Sequence, residues 1–202
     1  MPPNAAPLQF PLSLSFKIIA LAPQISVTDA AGQLIGYVRQ KLFKLKESVT
    51  IFADREQTRP VYQIAADRVL DISAQYHIED TSGAPVGVLK RRGMRSIWRA
   101  HYEIHRGGQP LLEIREENPW SKVADSVFGE LPLIGMVSGY LFHPAYRVSY
   151  TGTEAPLLRA VKQPAFWEGR YAIERVGSGG PEDERLAVLC ILMMILLERR
   201  RG

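Results

Sequence analysis

His101, Glu103 and His105 are residues of types that hold transition metals, and their spacing would let them act together. In an extended chain successive side chains alternate, so all three share one strand face. His77 and Glu79 repeat the pattern on a second segment. If those two segments pair, imidazoles and carboxylates converge in a zinc- or iron-like set. Against this, Tyr102 and Ile104 between them need to point inward, which turns the His/Glu face to solvent. No supporting metal motif accompanies it, so neither metal nor cofactor is expected. Nucleophilic chemistry has less support still. There is no Gly-x-Ser-x-Gly elbow, and Cys190 lies inside an apolar run where a thiol is inert. Gly177-Ser178-Gly179-Gly180 has the glycine of a phosphate loop but lacks its Lys-Ser/Thr ending, and reads as a linker. Glu113, Glu116 and Glu117 fit a solvated strand end. No catalytic residue is expected, and the chain reads as a non-enzyme.

The basic residues gather in two places. Arg39, Lys41, Lys44 and Lys46 form one cluster, and Lys90, Arg91, Arg92, Arg95 and Arg99 form the denser one. A phosphate-rich head group needs several converging donors, and such clusters supply them. The competing reading is the solvated surface of an ordinary basic protein. Lys plus Arg is 25 and Asp plus Glu is 21, a balance of +4. That excess permits an anionic partner but does not call for nucleic acid.

These residues need elements to position them. The chain has 202 residues, of which 46% are hydrophobic and 23% charged, so it folds as one domain or two small ones. One cysteine excludes a disulfide framework and a cysteine-rich zinc site. Met1 to Pro11 is rich in Pro and Ala, with no basic segment ahead of an apolar one. It reads as a flexible lead-in (1–11) rather than a signal peptide. No run reaches the roughly 20 apolar residues that span a bilayer. The expected location is the cytoplasm or a membrane surface.

From residue 12 to 175 alternation dominates, as in Leu12, Leu14, Phe16 and Ile18 against Ser13, Ser15 and Lys17. Asp29, Gly32, Gly36 and Arg39 recur 51 positions later, as Asp80, Gly83, Gly87 and Lys90. A Tyr-x-aliphatic strand occurs at Tyr76/Ile78, Tyr102/Ile104, Tyr146/Val148 and Tyr171/Ile173. Hairpins repeated in this way must close on themselves or on something else. One insertion, 118–144, breaks the pattern. Its first part starts like a helix at Asn118-Pro119. Its second, Leu131 to Phe142, reads as an apolar loop packing over the core, with membrane insertion or a protein partner as alternatives.

After the glycine linker, Pro181 begins a helix over 181–199, acidic in its first turn and basic at its end, as the helix dipole favours. Leu186 to Leu197 are twelve consecutive apolar residues that cover every face. Such a helix is buried all round or lies in lipid. It could be a short tail anchor. A closed barrel of about twelve strands with the helix in its lumen satisfies both the hairpins and the helix, and this is the expected fold for 12–202.

This combination resembles the tubby-like C-terminal fold, and within it the group of LURP-one-related and phospholipid-scramblase-like proteins. The matching features run from about Phe16 to Leu197. They are the two Asp…Gly…Gly turns, the strands Arg95–Ile104 and Phe166–Ile173, and the closing apolar helix. The resemblance implies a mainly β, closed antiparallel barrel of about twelve strands around a central hydrophobic helix. It also implies phosphoinositide head groups as candidate ligands, bound by clustered cations on the barrel exterior. The residues that would do so are Arg39, Lys41, Lys90, Arg91, Arg92, Arg95 and Arg99. Scramblase-type relatives carry an acidic calcium-binding segment before the last helix and a palmitoylated cysteine cluster. Gly177 to Glu184 lacks alternating acidic ligands and the chain has one cysteine, so calcium-driven scrambling is not expected. The expected function is a non-enzymatic binding or scaffold module, with an anionic membrane lipid or a protein as partner; the alternative is a metal-dependent enzyme built on the His101/Glu103/His105 face.

Overall fold

A computed structural model of the chain describes residues 7–17, 24–39, 48–68, 74–92, 100–117, 144–164 and 168–198. Twelve strands come first: β1 (Leu12–Lys17), β2 (Gln24–Thr28), β3 (Leu34–Arg39), β4 (Ser48–Phe52), β5 (Pro60–Ala66), β6 (Gln75–Asp80), β7 (Pro85–Arg91), β8 (His101–Arg106), β9 (Gln109–Glu116), β10 (Ala145–Tyr150), β11 (Pro156–Gln163) and β12 (Glu168–Arg175). One helix follows, α1 (Pro181–Glu198). Every strand pairs antiparallel with its chain neighbours, and β1 pairs with β12 to close the barrel. The expected insertion 118–144, with its helix start and its apolar Leu131–Phe142 loop, lies outside the described residues except for Pro144.

The alternation in the sequence becomes an inside and an outside. Leu12, Leu14 and Phe16 point in, level with Ile173 and Tyr171 across the closing ladder. All four Tyr-x-aliphatic pairs also point in, one on each of β6, β8, β10 and β12. Closure abolishes the free edges that an open sheet of this size would expose.

The 51-residue repeat is a repeat of turn geometry. Asp29 Oδ1 accepts from the N–H groups of Ala31 and Gln33, at 3.0 and 2.8 Å. Asp80 Oδ1 accepts from those of Ser82 and Ala84, at 2.8 and 3.0 Å. Gly32 and Gly83 then take φ of +78° and +80°, a region that favours glycine. A ladder irregularity follows in both hairpins, at Val27/Thr28 and Ile78/Glu79.

Antiparallel order gives the barrel two unlike ends. One end, the turn rim, carries the short hairpin turns and the start of α1. The other, the exit rim, carries Lys17, Gln24, Arg39, Gln75, Arg91, His101, Glu116 and Gln163, together with the end of α1.

The lumen belongs to α1. Every residue from Leu186 to Leu196 is buried. That burial makes the apolar run the core of the barrel; among the described residues no helix is long and apolar enough to cross a membrane. Its first turn is clamped: Arg106 donates to Asp183 at 2.5 Å, Tyr150 donates to Asp183 at 2.7 Å, and Arg175 donates to the buried Glu184 at 2.6 Å. The N-terminal segment joins this clamp, since Arg175 also donates to the Leu8 carbonyl at 3.3 Å and lies over the Phe10 ring. At the other end Glu198 places a carboxylate in the last turn, against the helix dipole. Tyr102 donates to it at 2.5 Å, and Arg91 stands 3.8 Å away, over the Tyr102 ring.

Candidate functional site

The condition for a metal set, pairing of the two His/Glu segments, is not met. β6 and β8 do not pair, because β7 runs between them: His77 is level with Val88, and Val88 with His105. Two strand spacings, about 10 Å, separate the two histidines. Among the described residues no group of three or more His, Cys, Asp or Glu is placed to hold a metal ion. The His/Glu face also differs from the expected solvent-facing strand. Register sets Glu103 opposite Glu113, and His101 opposite Arg115. His101 Nε2 lies 3.3 Å from Glu113, to which Arg115 donates at 2.9 Å. His105 Nε2 lies 3.2 Å from Glu103, which Arg92 approaches at 3.3 Å. These partners shield one another, and His105 and Glu113 are buried. The His105 Nδ1 is buried without a hydrogen-bond partner.

The glutamates expected at a solvated strand end are structural clasps. Glu116 Oε2 accepts from the Ala100 N–H at 3.1 Å. Glu117 takes Arg159 in a two-pronged grip, at 2.8 and 2.9 Å, which holds the Arg159 guanidinium more basic than usual. Cys190 is fully enclosed, and burial pushes its thiol well above the ordinary range, as expected of an inert core cysteine.

The expected cation cluster is placed in part. Arg39 ends β3 and Lys90 and Arg91 end β7, followed by Arg92, so these all stand at the exit rim. Lys41, Arg95 and Arg99 lie outside the described residues, as do Lys44 and Lys46. Arg39 is exposed, and Arg92 is exposed while paired with Glu103. Arg91 faces the lumen instead. It shares strand parity with the fully buried Leu89, its side chain is 6% exposed, and Glu198 and the Tyr102 ring are its partners.

Sequence reading missed a different set of cations at the same rim: Lys17 on β1, Lys162 on β11 and Arg170 on β12. All three are exposed, and none forms an ion pair. They are single charges; the β11–β12 hairpin brings Lys162 and Arg170 together, and only the closing β1–β12 ladder makes the distant Lys17 their neighbour. Inside the rim, Tyr76, Tyr102, Tyr146 and Tyr171 ring the end of α1 with Phe16. Burial, and then the hydrogen bond to Glu198, pushes the Tyr102 phenol far up. Burial does the same to Tyr146.

The family model described as LURP-one-related matches residues 34–174. An X-ray structure of a protein from Arabidopsis thaliana is similar over 96% of this chain and 94% of that one, at 12% identity and a TM-score of 0.48. No curated protein matches the chain.

Proposed function

This chain belongs to the LURP-one-related family, and from that premise we propose that it is a non-enzymatic binding module that docks on anionic lipid at a membrane surface. One observation carries the reading. The outward-facing described members of both basic clusters, Arg39 at the end of β3, Lys90 near the end of β7 and Arg92 just after it, stand at the same end of the barrel. The family resemblance makes phosphoinositide-type head groups the first ligands to try. Lys41, Arg95 and Arg99 belong to the proposal through their sequence positions next to these residues. Arg91 belongs to the fold, as the counter-charge of Glu198. A lumen filled by α1 leaves the exterior as the binding surface. Surface attraction to anionic lipid is screened by salt within about 10 Å at 0.1 M.

Sedimentation with vesicles tests the reading. Vesicles carrying phosphatidylserine or a phosphoinositide should pull down the protein at low salt and release it as salt rises. Neutral phosphatidylcholine vesicles should not. Absence of binding to every anionic vesicle at low salt removes the proposal.

A further inference from the structure

The free positive charge of the barrel is not spread evenly, and its distribution names a docking face that the two basic clusters do not. The described cations without an ion pair are Lys17, Arg39, Lys90, Lys162 and Arg170 at the exit rim, with Arg55 alone at the turn rim. Arg92, Arg115, Arg147 and Arg159 are all matched to carboxylates. Four of the five free cations at the exit rim fall on the consecutive strands β11, β12, β1, β2 and β3, an arc about 19 Å long at the usual strand spacing. Register fixes their levels. Arg39 is level with Gln24, and Gln24 with Lys17; Arg170 is level with Ser15 and with Gln163.

Little on this arc opposes the charge. Strands β1 to β3 contain no Asp or Glu. Glu174 of β12 lies toward the turn rim. Lys17 is in register with Glu168 and forms no ion pair. Between the outward-facing Arg170, Lys17 and Arg39 the outer face carries Ser15 and Ser26, joined at 2.9 Å, with the buried Tyr37 beside Ser26; Lys162, level with the inward-facing Tyr171, stands on the lumen side of the rim. We infer that the arc Lys162–Arg170–Lys17–Arg39 is the face on which this barrel meets a phosphate-bearing lipid surface. The inference rests on the function proposed above and relocates its main contact away from residues 90–99.

The choice of a membrane over nucleic acid follows from shape and composition. Charges distributed along a barrel rim address a plane. The exposed large hydrophobic residue among those described is Val176, so the described surface offers no aromatic platform on which bases would stack.

Two rim variants separate the possibilities: the exposed Lys17→Gln/Lys162→Gln/Arg170→Gln on the arc, and Lys90→Gln/Arg92→Gln beyond it, where Lys90 is half-buried. Both are checked for native circular dichroism, then titrated with phosphatidylcholine vesicles containing phosphatidylserine at low salt. Each cation near an anionic surface is worth about fivefold in affinity, so the arc variant should lose about 100-fold. The second variant should lose roughly fivefold, because Arg92 is already paired. If wild type binds and the arc variant loses less than tenfold, the arc is wrong while the membrane reading stands. If wild type binds no anionic vesicle, both fall. If short duplex DNA binds wild type as tightly as the vesicles do, the assignment of the arc to lipid is overturned.

Discussion

Gly87 shows how closely the helix is fitted to the wall, and the fit can be measured. Gly87 sits on β7 where α1 begins to fill the lumen. A Cβ built on it would lie 2.7 and 2.8 Å from the two Leu186 methyls and 3.0 Å from the His105 carbonyl oxygen. Leu186 can swing by some tenths of an ångström, but the His105 oxygen is backbone in a paired strand. Gly87→Ala therefore overpacks a closed site, at a cost of about 1–3 kcal/mol. Loss of glycine's unfolded-state freedom offsets roughly 0.4–1 kcal/mol of that, which leaves a net loss of about 1–2 kcal/mol. The repeat supplies an internal control. Gly36 holds the equivalent position, and its added Cβ would meet Ile51 Cγ2 alone, at 3.1 Å. Gly36→Ala should fall within about 0.5 kcal/mol of wild type, where the small entropic gain and the mild contact cancel. Urea unfolding with matched m-values reads both differences as shifts in midpoint. A double variant, Gly87→Ala/Leu186→Ala, should cost less than the sum of its parts, because the two changes share one contact. Gly87→Ala as stable as wild type, or less costly than Gly36→Ala, would refute the placement of Leu186 against β7.

Three further outcomes follow from the same packing. Leu192→Lys sets an unpaired charge at a buried position of α1, a cost of several kcal/mol against a typical total of 5–15; the variant should show no cooperative melt, and a folded, soluble Leu192→Lys protein would sink the central-helix arrangement. Tyr102 and Tyr146 are held protonated far above the ordinary tyrosine value of 10.0. The unfolded chain thus loses these protons first, so their contribution to stability is full below about pH 10 and falls as pH rises beyond it; phenolate absorbance should appear for these residues only together with unfolding, and early titration of all eight tyrosines would contradict their burial. Cys190 should react with a thiol reagent only in denaturant, and labelling of the native protein at the rate of a free thiol would show that the lumen is open.

The fold was legible because its signals are periodic. Alternation gave the strands, the Asp…Gly turns marked the hairpins, and a helix apolar on every face admits few homes. The charges were less legible, for a reason visible in particular residues. Arg91 could have been read correctly, since it shares strand parity with Leu89 and Gly87 and so faces inward. Glu113 and Glu117 could not, because their partners depend on which strands become neighbours and how those strands are staggered. The same holds for Lys17 and Arg170, which lie near opposite ends of the sequence and meet only through the β1–β12 ladder. It holds also for the His/Glu faces of β6 and β8, whose separation by β7 depends on the order of strands around the barrel.

The order of elements along the chain has a consequence for synthesis. The helix that fills the core is made after all twelve strands, and the ladder that closes the wall needs β12. While a ribosome delivers β1 to β11 at roughly 5–20 residues per second, the apolar inner faces of Leu14, Ile64, Ile104 and Val148 have nothing to cover them. Contacts between the chain's ends and across its whole length are the slow ones to form. The nascent barrel is thus a sheet without a filling until α1 emerges, so folding is completed only after α1 clears the exit tunnel.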